Sequence, residues 1–182
     1  MAIKEVLERY SKEQIKKAGQ IKAIFFDVDG VLTNGKIIYD DQGVEVKEFN
    51  VKDGYIISHL KKVEIIVGII TGRESNIVSK RSAELKLDFC HQGIIDKYAV
   101  FEKLADFYKL KKKHIAFIGD DINDLKILQT CGLSASPADA IHYISNQVDV
   151  VTKAKGGEGA LRELADLVLA ARGELDKIVK ST

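Results

Sequence analysis

Residues 21–33 read IKAIFFDVDGVLT, a short apolar run of strand type cut off by Asp27-Val28-Asp29-Gly30. The same figure returns further along. EIIVGII at 64–70 is apolar and stops at Thr71-Gly72, and HIAFIGDD at 114–121 is apolar until Gly119-Asp120-Asp121. Helical spacing fills the intervals: Asp53 to Lys62, Glu74 to Leu87, Lys97 to Leu110, INDLKILQT after the third strand, and Gly159 to Ala171. LSAS and DVVT add two weaker strands. Strands that alternate with helices of this length predict an α/β fold, a doubly wound parallel sheet with helices on both faces.

Two segments stand outside that rhythm. KIIY and VEVKEF alternate around Asp40-Asp41-Gln42-Gly43 and read as a β-hairpin over about 35–49. Ile3, Val6, Leu7, Tyr10, Ile15 and Ala18 recur at roughly helical spacing before a stop at Gly19, and Glu174 to Lys180 forms a helical or loose tail within 173–182. With no repeat and no linker, residues 1–182 are expected to form one domain.

Composition removes several classes of function. The 28 basic and 27 acidic side chains leave a formal charge of +1, too little to attract nucleic acid or an anionic membrane. The longest apolar run, Ile65 to Ile70, has strand length and cannot span a bilayer. MAIKEVLERYSKEQ mixes both charge signs from the fourth residue and reads as neither signal nor transit peptide. Cys90 and Cys131 lack metal or disulfide spacing, so buried thiols in a reducing cytoplasm are expected.

In an open parallel sheet ligands bind beyond the carboxyl ends of the strands. There the sequence delivers Asp27, Asp29, Thr71, Arg73, Asp120, Asp121 and Asp124, with Lys97 before a helix. So many carboxylates on one rim repel strongly unless a cation joins them, and oxygen donors favour magnesium. Magnesium binds phosphate, a carboxylate can attack phosphorus, and Lys97 and Thr71 can hold phosphoryl oxygens. Taken singly these are ordinary: Asp-Gly is turn chemistry, a lysine at a helix start is solvated, and Gly-Asp-Asp is a helix cap. Their order on successive strands favours the functional reading.

DVDGVLT at 27–33, IITGR at 69–73, Lys97 and GDDINDL at 119–125 resemble the four motifs of the haloacid dehalogenase superfamily of phosphohydrolases. The resemblance implies Asp27 as nucleophile, Asp29 as general acid and base, and Thr71 and Lys97 as phosphate binders. It implies Mg2+ on the Asp27 carboxylate, the Asp29 carbonyl and Asp120, supported by Asp121 and Asp124. Between Asp29 and Thr71 lie only residues 30–70, and between Thr71 and Lys97 only 72–96, so no cap domain is expected. FNVKDG at 49–54, Gln92-Gly93, GGEGALRE at 156–163 and GELDKI at 173–178 resemble the capless 3-deoxy-D-manno-octulosonate 8-phosphate phosphatases. That likeness implies a substrate site with Asn50, Val51, Lys52, Asp53, Gly54, Arg73 and Arg81. It also implies a homotetramer in which hairpin and tail reach neighbouring active sites, and a place in lipopolysaccharide synthesis.

Three rival readings remain open at this point. The substrate could be another sugar-acid phosphate such as a nonulosonate 9-phosphate, although Arg73 stands where those enzymes tend to place glutamate. A receiver-type module also combines acidic residues, threonine and lysine, but in the opposite chain order. A non-catalytic oligomerisation module would have no use for the Asp27-Asp29 pair.

Overall fold

Each apolar run closes into a strand with both faces covered. In the computed structural model, which describes residues 2–180, helices α1 (Ala2–Leu7) and α2 (Lys12–Ala18) precede β1 (Ala23–Phe26). The hairpin follows as β2 (Ile38–Tyr39) and β3 (Glu45–Val46), then α3 (Val51–Lys62), β4 (Ile66–Ile70), α4 (Asn76–Glu84) and β5 (Phe89–His91). Next come α5 (Lys97–Phe107), β6 (Ile115–Ile118), a 3₁₀ turn at Ile122–Asp124 and α6 (Leu125–Leu128). The chain ends with β7 (Leu133–Ser136), α7 (His142–Ser145), β8 (Val150–Val151), α8 (Ala160–Ala171) and α9 (Leu175–Lys180). Ser181 and Thr182, the last two residues of the expected tail, lie outside the described residues.

The sheet is parallel, six-stranded and ordered β5-β4-β1-β6-β7-β8. β1 is central, pairing Ala23 with Ile66 on one side and with Ile115 on the other. Side chains alternate across it. Ile24, Phe26, Val67, Ile69, Ala116 and Ile118 enter a core under α3 and α8, while Ala23, Phe25, Ile70, Ile115 and Phe117 enter a second core under α5 and α6. Burying each large apolar side chain stabilises by about 1.5–3 kcal/mol. A parallel strand covered on both faces needs this unbroken apolar run. From β1 the chain winds outward to β4 and β5, then returns to β6. The order reverses beside β1, which is where such sheets open a crevice.

Three expectations are corrected. The N-terminal helix is two helices, because Ser11 caps α2: its Oγ accepts from Gln14 N, and Gln14 Oε1 accepts from Ser11 N. β5 was not expected between the second and fourth motifs. It is three residues long, and Gly68 makes room for Phe89, whose ring meets Phe25 edge-on at 4.8 Å. Cys90 and Cys131 are free but only partly buried. For the tail the helical alternative holds: α9 packs on α1 and α8, Leu175 is buried, and Asp176 accepts from Ile3 N.

Candidate active site

The three strand ends converge as the sheet topology requires. Asp27, Asp29, Gly35, Thr71, Gly72, Arg73, Asp120, Asp121 and Asn123 line one cavity of about 220 Å³ at the carboxyl edge. The loop after β1 reaches this place because Gly30 adopts φ 84°, and a side chain there would strike the Asp120 carboxylate. Gly156 packs against the Gly30 carbonyl, and Gly157 N donates to Val31 O, so the loop before α8 clamps the same turn.

Behind the cavity floor Lys97 opens α5 and is 1% exposed. Its Nζ lies 2.7 Å from Asp27 Oδ2 and 2.8 Å from Asp124 Oδ1. Burial alone would lower the ammonium pKa, but Asp27 and Asp124 outweigh it and hold the group above its ordinary value. Asp124 is fully buried and also accepts from Asp120 N at 3.2 Å. Burial first, then Asp27, pushes its carboxyl up in spite of the lysine.

Asp27, Asp120 and Asp124 each present an oxygen within 4.8 Å of the others. Burial, then repulsion from Asp27, Asp124 and Asp121, pushes Asp120 up to about 8. Among the described residues, Asp120 Oδ1 is buried with no hydrogen-bond partner. When all are ionised, three carboxylates against one lysine leave two uncompensated negative charges beside the cavity. An all-oxygen donor set with that deficit and an orphaned oxygen fits one hard divalent cation.

A second group closes the cavity from the hairpin side. Lys47 Nζ lies 2.5 Å from Asp29 Oδ1 and 3.4 Å from Glu45 Oε1, and Arg73 Nη2 lies 2.7 Å from Glu45 Oε1. Ser75 Oγ donates to Glu45 Oε2. The Ser75 hydroxyl, then Lys47 and Arg73, hold the Glu45 carboxyl below its ordinary value against the opposing effect of burial. Sequence reading missed Lys47, Glu45, Ser75 and Asn123. The alternation of VEVKEF was the available signal, since it puts Glu45 and Lys47 on one face and the exposed Val44 and Val46 on the other.

The residues expected to bind substrate divide into groups. Arg73 is in the cavity. Asn50, Asp53, Gly54 and Arg81 instead line a separate small cleft with Leu32, Phe49, Ile57 and Leu85. Asn50 caps α3 through Lys52 N, and its Nδ2 donates to Gly157 O. Asp53 accepts from Arg162 N at 2.7 Å, tying α3 to the start of α8. Arg81 sits over the Phe49 ring and against Gly54. Val51 and Lys52 are exposed on the first turn of α3. Asp121 faces solvent and caps the 3₁₀ turn through Ile122 N, beside rather than within the close carboxylate set.

A doubly wound sheet with these carboxylates and this lysine at its switch point is the frame of a haloacid dehalogenase-like hydrolase. A family model of that description matches residues 75–164. The 3-deoxy-D-manno-octulosonate 8-phosphate phosphatase KdsC of Escherichia coli (strain K12) is 40% identical over 167 residues, covering 92% of this chain and 89% of that protein. The crystal structure of the same phosphatase from Yersinia pestis superposes with TM-score 0.89 at 38% identity, over 91% of this chain and 89% of that one. The Moraxella catarrhalis phosphatase, solved in complex with magnesium ion, phosphate ion and KDO, gives TM-score 0.92 at 37% identity, over 94% and 99% of the two chains. The chain belongs to the family of 3-deoxy-D-manno-octulosonate 8-phosphate phosphatases. The receiver-type and non-catalytic readings are thereby set aside.

Proposed function

We propose that this protein is a magnesium-dependent phosphatase that converts 3-deoxy-D-manno-octulosonate 8-phosphate to the free sugar acid and phosphate. One observation carries the reading: Asp27, the residue of an attacking carboxylate, is held 2.7 Å from a buried lysine beside the Asp120 and Asp124 oxygens. The likeness to the Escherichia coli phosphatase, and the magnesium ion, phosphate ion and KDO in the Moraxella structure, support this choice of substrate.

In the first step an Asp27 oxygen attacks phosphorus, the bond from phosphorus to the sugar oxygen breaks, and Asp29 gives that oxygen its proton. In the second, water attacks the acyl phosphate, Asp29 takes back a proton, and the bond between phosphorus and Asp27 breaks. Phosphate leaves and both aspartates return to their starting state. Lys97 and Thr71 hold phosphoryl oxygens, and Arg73 faces the sugar carboxylate. Asp27, Asp120 and the Asp29 carbonyl would hold Mg2+, with Asp124 and Asp121 in support, and the bound ion would offset charge on the phosphoryl group.

Residues 1–182 act as one domain in this reading, and a homotetramer in the cytoplasm is its working form. The cavity is smaller than the roughly 300–1,000 Å³ that sites for drug-sized ligands occupy, so the sugar extends beyond it. Asn50 to Gly54 and Arg81 stand apart from the cavity within one protomer, and their part in binding requires the assembled enzyme. Phosphate release from eight-carbon and nine-carbon sugar-acid phosphates, with magnesium and with chelator, tests the proposal. Faster turnover of a nonulosonate 9-phosphate would move the substrate, and no release from any sugar-acid phosphate would sink the function.

A further inference from the structure

Asp29 is asked to give and take a proton, yet its loop does little to aim it. Gly30 follows at positive φ, and the Asp29 side chain is 22% exposed. The hydrogen bond its carboxylate accepts comes from across the cavity, from Lys47 Nζ at 2.5 Å. The Lys47 side chain is 1% exposed. A lysine so enclosed is costly unless it is paired, and truncating one partner of such a pair is strongly destabilising. Once Asp29 has given up its proton, Asp29 and Glu45 provide two negative charges, and Lys47 and Arg73 two positive ones. Arg73 Nε completes the ring at 3.7 Å from Asp29 Oδ2. In that state the ring is neutral without a metal, in contrast to the carboxylate set around Asp27.

We propose that Lys47 is a positioning residue for the acid–base step: it holds Asp29 Oδ1 on the hairpin side and turns Oδ2 to the leaving oxygen. The hairpin thus serves the chemistry from within its own chain, whatever it does between subunits. Glu45 and Ser75 set where the ammonium can sit, since Arg73 shares Glu45 Oε1 with it and the Ser75 hydroxyl holds Oε2. The rival explanation is that Lys47 merely anchors the hairpin, whose apolar residues face solvent.

This inference rests on the reading of Asp29 as acid and base, and the experiment separates the two. An alkyl leaving group needs its proton, whereas p-nitrophenolate leaves without one. kcat/KM reports steps up to formation of the phosphoenzyme, so it is compared for the sugar-acid phosphate and for p-nitrophenyl phosphate. Acid–base catalysis contributes about 10²–10⁴-fold, and loss of aim alone should forfeit about tenfold or more of it. We expect Lys47→Met to lose that much on the sugar phosphate and under about threefold on the aryl ester, with Lys47→Arg recovering most of the loss. Combined with Asp29→Asn, Lys47→Met should cost nothing further, because the two act as one unit. Equal losses on both substrates, or losses that add in the double variant, overturn the inference and leave an anchor. Lys47→Gln gives the same comparison if the methionine variant does not fold. If Asp29→Asn itself fails to distinguish the two esters while the wild type releases phosphate, the acid–base reading falls and this inference with it. If Asp29→Asn distinguishes them and Lys47→Met does not, only the inference falls.

Discussion

Asp27 has little freedom to be anything but an aimed carboxylate: Val28 N donates to its Oδ1 at 2.7 Å, and Lys97 holds its Oδ2. Asp27→Asn keeps this shape but is a poor nucleophile toward phosphorus, so phosphate release should vanish while circular dichroism stays unchanged. Retained turnover would exclude covalent catalysis at this position. The neighbouring Asp120 addresses the metal. A ligand that binds only the folded state at a hundred times its Kd stabilises by about 2.7 kcal/mol. Magnesium should therefore raise the Tm of the wild type, chelator should reverse the rise, and Asp120→Asn should show little of it. An equal magnesium shift in that variant would remove Asp120 from the metal site. Asp27, Thr71 and Asp120 were legible because short strands and tight turns deliver them to one edge whatever the rest of the chain does. Lys47 was not, since only the folding-over of the hairpin brings it to Asp29.

Between elements, the sequence announced strands more reliably than what joins them. β1, β4 and β6 were plain because a run buried on both faces has no polar interruption. β5 escaped notice because three edge residues, half covered, make no run. The Asn50–Gly54 stretch has a role within one protomer that its sequence did not show: Asn50 caps α3, and Asp53 ties that helix to the start of α8. Burial pushes Asp53 up to about 6 from an ordinary 3.8, with Arg162 N opposing. A carboxyl raised in the folded state binds protons more tightly there than when unfolded. Its contribution is thus fully present below about pH 4 and is lost as pH climbs through about 6, by at most roughly 3 kcal/mol. Asp53→Asn cannot titrate. Its Tm should gain on that of the wild type between pH 4 and pH 6.5 and run parallel above that range. A constant difference across the whole range would mean that Asp53 is not raised.

For the whole molecule, the open question is what covers the hairpin. Its two-residue strands pair Ile38 with Val46 and Tyr39 with Glu45, too short a ribbon to be stable alone in water. Ile37, Ile38, Tyr39, Val44 and Val46 are all exposed on it. The ion pairs of Lys47 and Glu45 hold the inner face to the active site, while the outer face lacks cover within one protomer. Copies of the hairpin packed together would bury that face and roof the cavity, which is why a closed homotetramer is expected. The tail enters the same argument from the other end. α8 starts beside the Gly30 loop and runs 12 residues, roughly 18 Å, away from the cavity. Arg172 then bonds the Ile21 and Val63 carbonyls at the opposite rim of the sheet. A lid made by the tail over its own active site is therefore ruled out for residues 174–180 as placed, and any tail that reaches an active site reaches a neighbour's. Sedimentation of the wild type should show a tetramer, and Val44→Glu with Val46→Lys should shift it to smaller species with lower turnover. Deleting residues 174–182 should alter kcat or KM only where the assembly persists, and should leave the kinetics of the dissociated hairpin variant unchanged. A fully active wild-type monomer would defeat the assembly, and equal kinetic effects of truncation in both backgrounds would defeat the reach between subunits.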